Sequence, residues 1–297
     1  ETYENQKRAL LALADVGELL VEEFPYEVPE NGKYGNLPRL LGRCKVTFTF
    51  TRKREPLGNV TVIADGFAAP LTAGNFIDLC LRNFYPGLEM VARKKNLVEA
   101  PIIEKIERRP SIIADTFATI TDRLERVAEK DQLVEFPILG SYQEGFIDPL
   151  TAKLRRIPLE VVRLSDSVIP GSSKASLVYS SSFDKEDVSD EEIKGRPILS
   201  FDIPGLVALN HPDRFPNSGS SEFFSIPQRD INSEKTQLMN GRYAPFGYVV
   251  DGFDVLQNLK PGDVISANYV DEFGLNNLKR IRGSSLTDLI NSDDSEP

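Results

Sequence analysis

The 297-residue chain has no tryptophan, one histidine (His211), two cysteines (Cys44 and Cys80) and two methionines. One histidine and two thiols cannot build a four-ligand zinc site, so metal chemistry of the His/Cys kind is excluded and no cofactor is expected. Two cysteines make no disulfide framework either; Cys44 and Cys80 are read as a buried pair of free thiols or as one disulfide, according to the compartment. No apolar run approaches the ~20 residues that cross a bilayer as a helix, so no membrane span is expected. Positive charge is in deficit as well, with 35 Lys and Arg against 45 Asp and Glu for a net charge of −10. That balance repels phosphate backbones and argues against nucleic acid as a partner. Glu1 to Arg8 lacks a basic stretch leading into an apolar one, so a targeting peptide is expected to have been removed or never to have existed.

What is present is the composition of a folded protein: 40% hydrophobic and 27% charged residues, with 17 Phe. Leu10, Leu13, Ala14, Leu20, Val21 and Phe24 recur at helical spacing and predict one amphipathic helix over Asn5 to Phe24, stopped by Pro25. Pro25 to Pro38, rich in Pro, Gly and Asn, reads as a linker. From Lys45 the text becomes strand-like: Val46, Phe48 and Phe50 alternate with Lys45, Thr47, Thr49 and Thr51. Val60, Val62 and Ala64 repeat the alternation after a turn placed at Pro56, Leu57 and Gly58. A helix then carries Phe76, Leu79, Cys80 and Phe84, with Thr72 placed to cap its start.

Residues 92–139 change character. Ile120, Leu124, Val127 and Ala128 at helical spacing, separated by charges, predict a helical insertion, with a shorter helix between Pro101 and Pro110. Short strands are expected again at Ile157 to Val162, Ile198 to Phe201, Val207 to Leu209, Glu222 to Ile226, Phe246 to Val250 and Val264 to Val270, the spacing of a β-barrel. An acidic loop with a possible capping box, Ser189 to Glu192, lies within Ser180 to Lys194; Ser284 to Pro297 reads as a flexible acidic tail.

Three stretches carry a resemblance. Ala64 and Asp65 with Ala69 to Phe76, then Gly219 to Phe224, then Asn240 to Val249, are similar, in that order, to the cyclophilins, the β-barrel peptidyl-prolyl isomerases. Phe24 to Pro29 and Glu144 to Pro149 resemble the multidomain cyclophilins of the chloroplast thylakoid lumen. The resemblance implies a mainly β fold: a closed antiparallel barrel capped by helices, with an N-terminal helix and a helical insertion. It divides the chain into 1–38, the end of a helical domain plus linker, 39–283, the cyclophilin-like domain with its insertion at about 92–139, and 284–297, the tail.

The implied activity is rotation about X-Pro bonds, which must cross a barrier of ~18 to 20 kcal/mol because the amide loses its resonance. The enzyme favours the twisted amide over both planar forms, so no nucleophile or titrating base is required. Family members seat the proline ring in an apolar cup and donate to the amide from an arginine. By resemblance Phe224 is the base of the cup, with Met239 beside it; Glu222 stands where glutamine is usual, Tyr243 where histidine is common, and Leu238 where the family has tryptophan. Arg93 is the candidate for the arginine, one residue beyond the family's spacing of five from the glycine after the first helix, here Gly87. His211 is read as a hydrogen-bonded loop histidine. The expected partners are proline-containing polypeptides, among them subunits of photosynthetic complexes in the thylakoid lumen. A rival reading keeps the groove but makes it a non-catalytic binding module or assembly scaffold.

Overall fold

The fold follows from a computed structural model, which describes residues 16, 24–25, 27–28, 34–96, 133–149, 151–164, 175–179, 196–212, 215–225 and 239–280. The Asn5 to Phe24 helix, the helices expected between 101 and 128, the capping box at Ser189 and the acidic tail lie, wholly or almost wholly, outside the described residues. The elements, in order, are β1 (Arg39–Leu40), β2 (Arg43–Arg52), β3 (Glu55–Asp65), α1 (Pro70–Leu81), β4 (Val91–Asn96), β5 (Leu133–Leu139), β6 (Ile147–Asp148), β7 (Lys153–Leu154), β8 (Glu160–Leu164) and β9 (Ala175–Tyr179). They continue with β10 (Arg196–Pro197), β11 (Leu206–Leu209), β12 (Phe223–Ser225), β13 (Pro245–Asp251), α2 (Phe253–Asn258), β14 (Val264–Val270) and β15 (Leu278–Lys279).

Eight strands form the main sheet in the order β14-β2-β3-β13-β11-β12-β5-β4, with every neighbouring pair antiparallel. β2 behaves as its alternation demands: Cys44, Val46, Phe48 and Phe50 are buried while Lys45, Thr47, Thr49 and Thr51 are partly exposed. The sheet curls. The backbone leading into β4 bonds to the start of β14, with Gly87 N–H donating to Ile265 O at 2.7 Å and Met90 N–H to Asp263 O at 2.7 Å. The two edges of the sheet therefore meet at one end.

Inside the curl lies an aromatic core. Phe76 of α1 contacts Phe246 at 4.9 Å, Phe223 at 5.1 Å and Phe48 at 5.8 Å between ring centroids, and Tyr85 meets Phe223 at 5.2 Å. Each fully buried ring of this kind stabilises the fold by about 1.5–3 kcal/mol relative to exposure. A second cluster of Ile138, Phe201, Leu206, Ala208, Phe224, Met239 and Tyr243 is separate from the first. Phe223 belongs to the inner cluster and its neighbour Phe224 to the second, as alternation along β12 requires.

Several expectations need correction. The β2–β3 turn is at Lys53 and Arg54, both at positive φ (51° and 74°), the geometry of a tight primed hairpin turn, and Pro56 to Gly58 lie within β3. Gly58, at φ 135°, marks the bulge instead; a Cβ there would meet Val255 Cγ2 at 2.7 Å. Thr72 does not cap α1, whose N-cap is Ala69 with Pro70 in the first turn. The Glu160 carboxylate, brought by β8, accepts from the N–H of Leu71 and Thr72 at 3.1 and 2.9 Å and from the Thr72 hydroxyl at 2.9 Å. Strand structure occupies both ends of the proposed insertion, where β4 and β5 pair from Val91↔Ile138 to Asn96↔Leu133. Ile198 to Phe201 is not a strand, because the short pairing with β8 is made by Arg196 and Pro197. Cys44 and Cys80 are free and buried.

Candidate functional site

β4, β5, β11 and β12 adjoin at one side of the main sheet, and a cleft of about 770 Å³ opens beside them. Its lining includes Arg93 from β4, Tyr142 to Gly145 from the loop after β5, Leu154, Asn210 and His211 after β11, Phe215, and Ser218 and Ser220 to Glu222 before β12. The residue in excess between Gly87 and Arg93 does not turn the arginine away, since Arg93 reaches the cleft.

Arg93 and Glu222 form a two-pronged ion pair. Nη1 donates to Oε2 and Nη2 to Oε1, both at 2.7 Å. Arg93 Nη2 also donates to Ser141 Oγ at 2.9 Å. Glu222 accepts three further hydrogen bonds: to Oε1 from Ser141 Oγ (3.0 Å) and Tyr142 N–H (3.0 Å), and to Oε2 from Asn210 Nδ2 (2.8 Å). The arginine side chain keeps 25% of its surface exposed and the glutamate 10%. A buried carboxylate is tolerated only with such a shell, because its desolvation must be offset by charge and hydrogen bonds.

The apolar residues assigned to the cup sit together but deep. Phe224, Met239 and Tyr243 are each fully buried and share one cluster. Phe224 lies 6.2 Å from Phe201 in a stacked pair and 5.2 Å from Tyr243 edge-on. None of the three lines the cleft. Leu238 lies outside the described residues. The turn carrying Met239 is closed by Arg242 N–H and Tyr243 N–H, both donating to Met239 O. His211 stacks on Tyr243 at 4.6 Å, and its ring nitrogens face Pro212 O (2.9 Å) and Arg242 O (2.8 Å), so it ties the β11 exit to that turn, in keeping with a hydrogen-bonded loop histidine.

Of the residues named from sequence, Arg93 and Glu222 line the cleft, while Phe224, Met239 and Tyr243 are buried beside it; Ser141, Tyr142, Asn210 and Phe215, which meet the ion pair or the cleft, were not named. The missed residues share a signal: they sit in polar, Gly- or Pro-containing loops directly after or before strands, where sites concentrate. Tyr142 is a side-chain neighbour of Glu144, whose hydrogen bond pushes the phenol above its ordinary range. Among the described residues no cluster of His, Cys, Asp and Glu could hold a metal ion. Nor, among them, is any helix long and apolar enough to cross a membrane.

Residues 154–277 match the family model described as cyclophilin type peptidyl-prolyl cis-trans isomerase/CLD. Relatives of the chain include a protein of Synechocystis sp. named as a thylakoid lumen peptidyl-prolyl cis-trans isomerase, 32% identical over 282 residues, which cover 94% of this chain and 59% of that protein. The chloroplastic peptidyl-prolyl cis-trans isomerase CYP38 of Arabidopsis thaliana is 32% identical over 279 residues, covering 92% of this chain and 52% of that protein. This chain thus spans between about half and three-fifths of the length of these two relatives. A solved cyclophilin of Hirschia baltica aligns with 76% of this chain and 73% of its own at 14% identity and a TM-score of 0.37.

Proposed function

We propose that the chain is a cyclophilin-type peptidyl-prolyl isomerase and folding or assembly helper of weak turnover, acting on proline-containing polypeptides, subunits of photosynthetic complexes among them, in a chloroplast thylakoid lumen. The observation that carries the reading is the convergence of Arg93, Glu222 and Asn210 on one cleft beside the Phe224, Met239 and Tyr243 cluster. In this reading the main sheet closes as a barrel capped by α1 and α2, within a domain of about 39–283 that carries the insertion. The lumen location and the folding role follow the names of the relatives. Arg93 is the catalytic residue, donating to the amide nitrogen as the X-Pro bond twists; the peptide site is assigned to Glu222 at the cleft, to Phe224, Met239 and Tyr243 as the buried layer beside it, and, by the resemblance, to Leu238. Loss of one such donor costs ~2.7 to 4 kcal/mol, or ~10² to 10³ in rate.

NMR exchange between cis and trans X-Pro peptide, with and without the purified chain, tests this. Arg93→Ala is expected to remove most of the isomerisation and leave binding nearly intact, whereas Phe224→Ala weakens binding first. The second reading, a non-catalytic binding module or assembly scaffold, is favoured by one observation: both terminal nitrogens of Arg93 are already engaged by Glu222. Peptide binding with no exchange enhancement in the unmodified chain would select it.

A further inference from the structure

We propose that Glu222 is a positioning residue that holds Arg93 back, so that a single carboxylate keeps the turnover of this site low. The inference rests on the isomerase reading above and adds its control element. To act on a twisted amide, a guanidinium must turn free N–H groups and an uncompensated positive charge toward the developing lone pair. Here Nη1 gives one N–H and Nη2 another to the two carboxylate oxygens at 2.7 Å, Nη2 gives its second to Ser141 Oγ, and the charge is cancelled where it would be used, so three of the five N–H groups are spent within the protein. Nor is the carboxylate free to swing aside. Ser141 Oγ and Tyr142 N–H hold one of its oxygens, and Asn210 Nδ2 holds the other. Five donated hydrogen bonds fix it, and a forked arginine–carboxylate pair is among the strongest side-chain contacts.

An amide at this position behaves differently. A glutamine that keeps its oxygen toward Tyr142 N–H places its NH₂ against Arg93 Nη1 and Asn210 Nδ2, donor against donor. Arg93 Nη1 must then let go. Asn210 has a way to adapt, since its Oδ1 is buried and makes no hydrogen bond among the described residues. Turning the Asn210 amide over gives the new NH₂ an acceptor, so the substitution has somewhere to settle without unfolding the loop.

The test is Glu222→Gln, read in two ways. NMR exchange of an X-Pro peptide, compared at equal fraction of peptide bound, should rise by about tenfold or more, as expected for a contact felt in the transition state. The double variant Glu222→Gln with Arg93→Ala should fall to the level of Arg93→Ala, showing that the gain runs through the arginine. Independently of activity, ¹⁵N NMR should show slow rotation of the Arg93 guanidinium in the unmodified chain and fast rotation in Glu222→Gln. A native guanidinium that already rotates freely overturns the inference, as does a measurable native activity that Glu222→Gln fails to raise. If every variant binds peptide and none turns it over, the isomerase reading itself fails and this inference with it.

Discussion

The Glu160 carboxylate reaches across almost ninety positions to serve as the N-terminal cap of α1, and it is fully buried there. Replacing it by alanine leaves two amide N–H groups and the Thr72 hydroxyl in an apolar setting. Each buried donor left unmade costs about 1–3 kcal/mol, so urea unfolding of Glu160→Ala should show a loss of at least that size, and Glu160→Gln a smaller one. The two thiols make a second residue-level case. Burial pushes the Cys44 thiol up to about 12 and the Cys80 thiol well above its ordinary value. Thiolate is the reactive form, so neither should react with a thiol reagent at neutral pH until the chain is unfolded, when both should react. Neither the Glu160 cap nor the Arg93–Glu222 pair was legible as a contact in the sequence. Both join residues far apart along the chain, and only the three-dimensional course of the strands decides which carboxylate meets which donor. Arg93 and Glu222 could be named one by one, from resemblance, without any sign that they would bind each other.

At the level of elements, β2 and most of β3 were legible because one face is buried, and a period of two in Val46, Phe48 and Phe50 has no other reading. The turn between them was not, because neither Lys53 nor Arg54 belongs to the residues that favour positive φ, and the Pro-Leu-Gly run that begins two residues after Arg54 drew the expectation away. The insertion was placed too widely for a related reason: Arg93, Lys94 and Lys95 look solvated in sequence, yet they pair with β5 as ladder strand. Gly74 is a third instance. Glycine inside a helix ordinarily costs ~1 kcal/mol against alanine. In α1 it sits where a Cβ would come within 2.5 Å of Arg39 Cα and 2.6 Å of Pro38 O, both of them backbone. Gly74→Ala should therefore lower the urea midpoint in spite of its better propensity, because crowding a packed contact costs about 1–3 kcal/mol.

Across the whole molecule, carboxylates tie distant parts together. Asp78 receives Arg82, Arg155 and Arg280, and Arg155 also holds Asp148 at 2.7 Å beneath the Phe146 ring. Burial alone would raise the Asp78 carboxyl, but hydrogen bonds and charge from Arg82 and Arg155 outweigh it and hold the group below its usual range. Asp263, held by Arg52 and Lys260 N–H, and Asp271, held by Lys45, are lowered in the same balance of burial against bonding. A depressed folded pKa stabilises the fold at every pH above the unfolded value of ~3.9 and is lost as pH falls through the folded value. Calorimetry should find a melting temperature that varies little with these groups from neutral pH to about pH 5 and declines steeply below about pH 4.

The pairing of the last strands with the first also sets an order in time. β14 lies against β2 and β15 against β1, with Asn277 bonded to Arg43 across 234 positions. A chain made or threaded from its N-terminus displays the unpaired edge of β2 until almost everything else has followed. Pairing of such long span is slow to form, and an open strand edge meanwhile can recruit neighbouring chains. Polypeptides that end before Val264 would be caught permanently in that exposed state, so the last strands of this protein decide whether its first ones find their own partner or a stranger's.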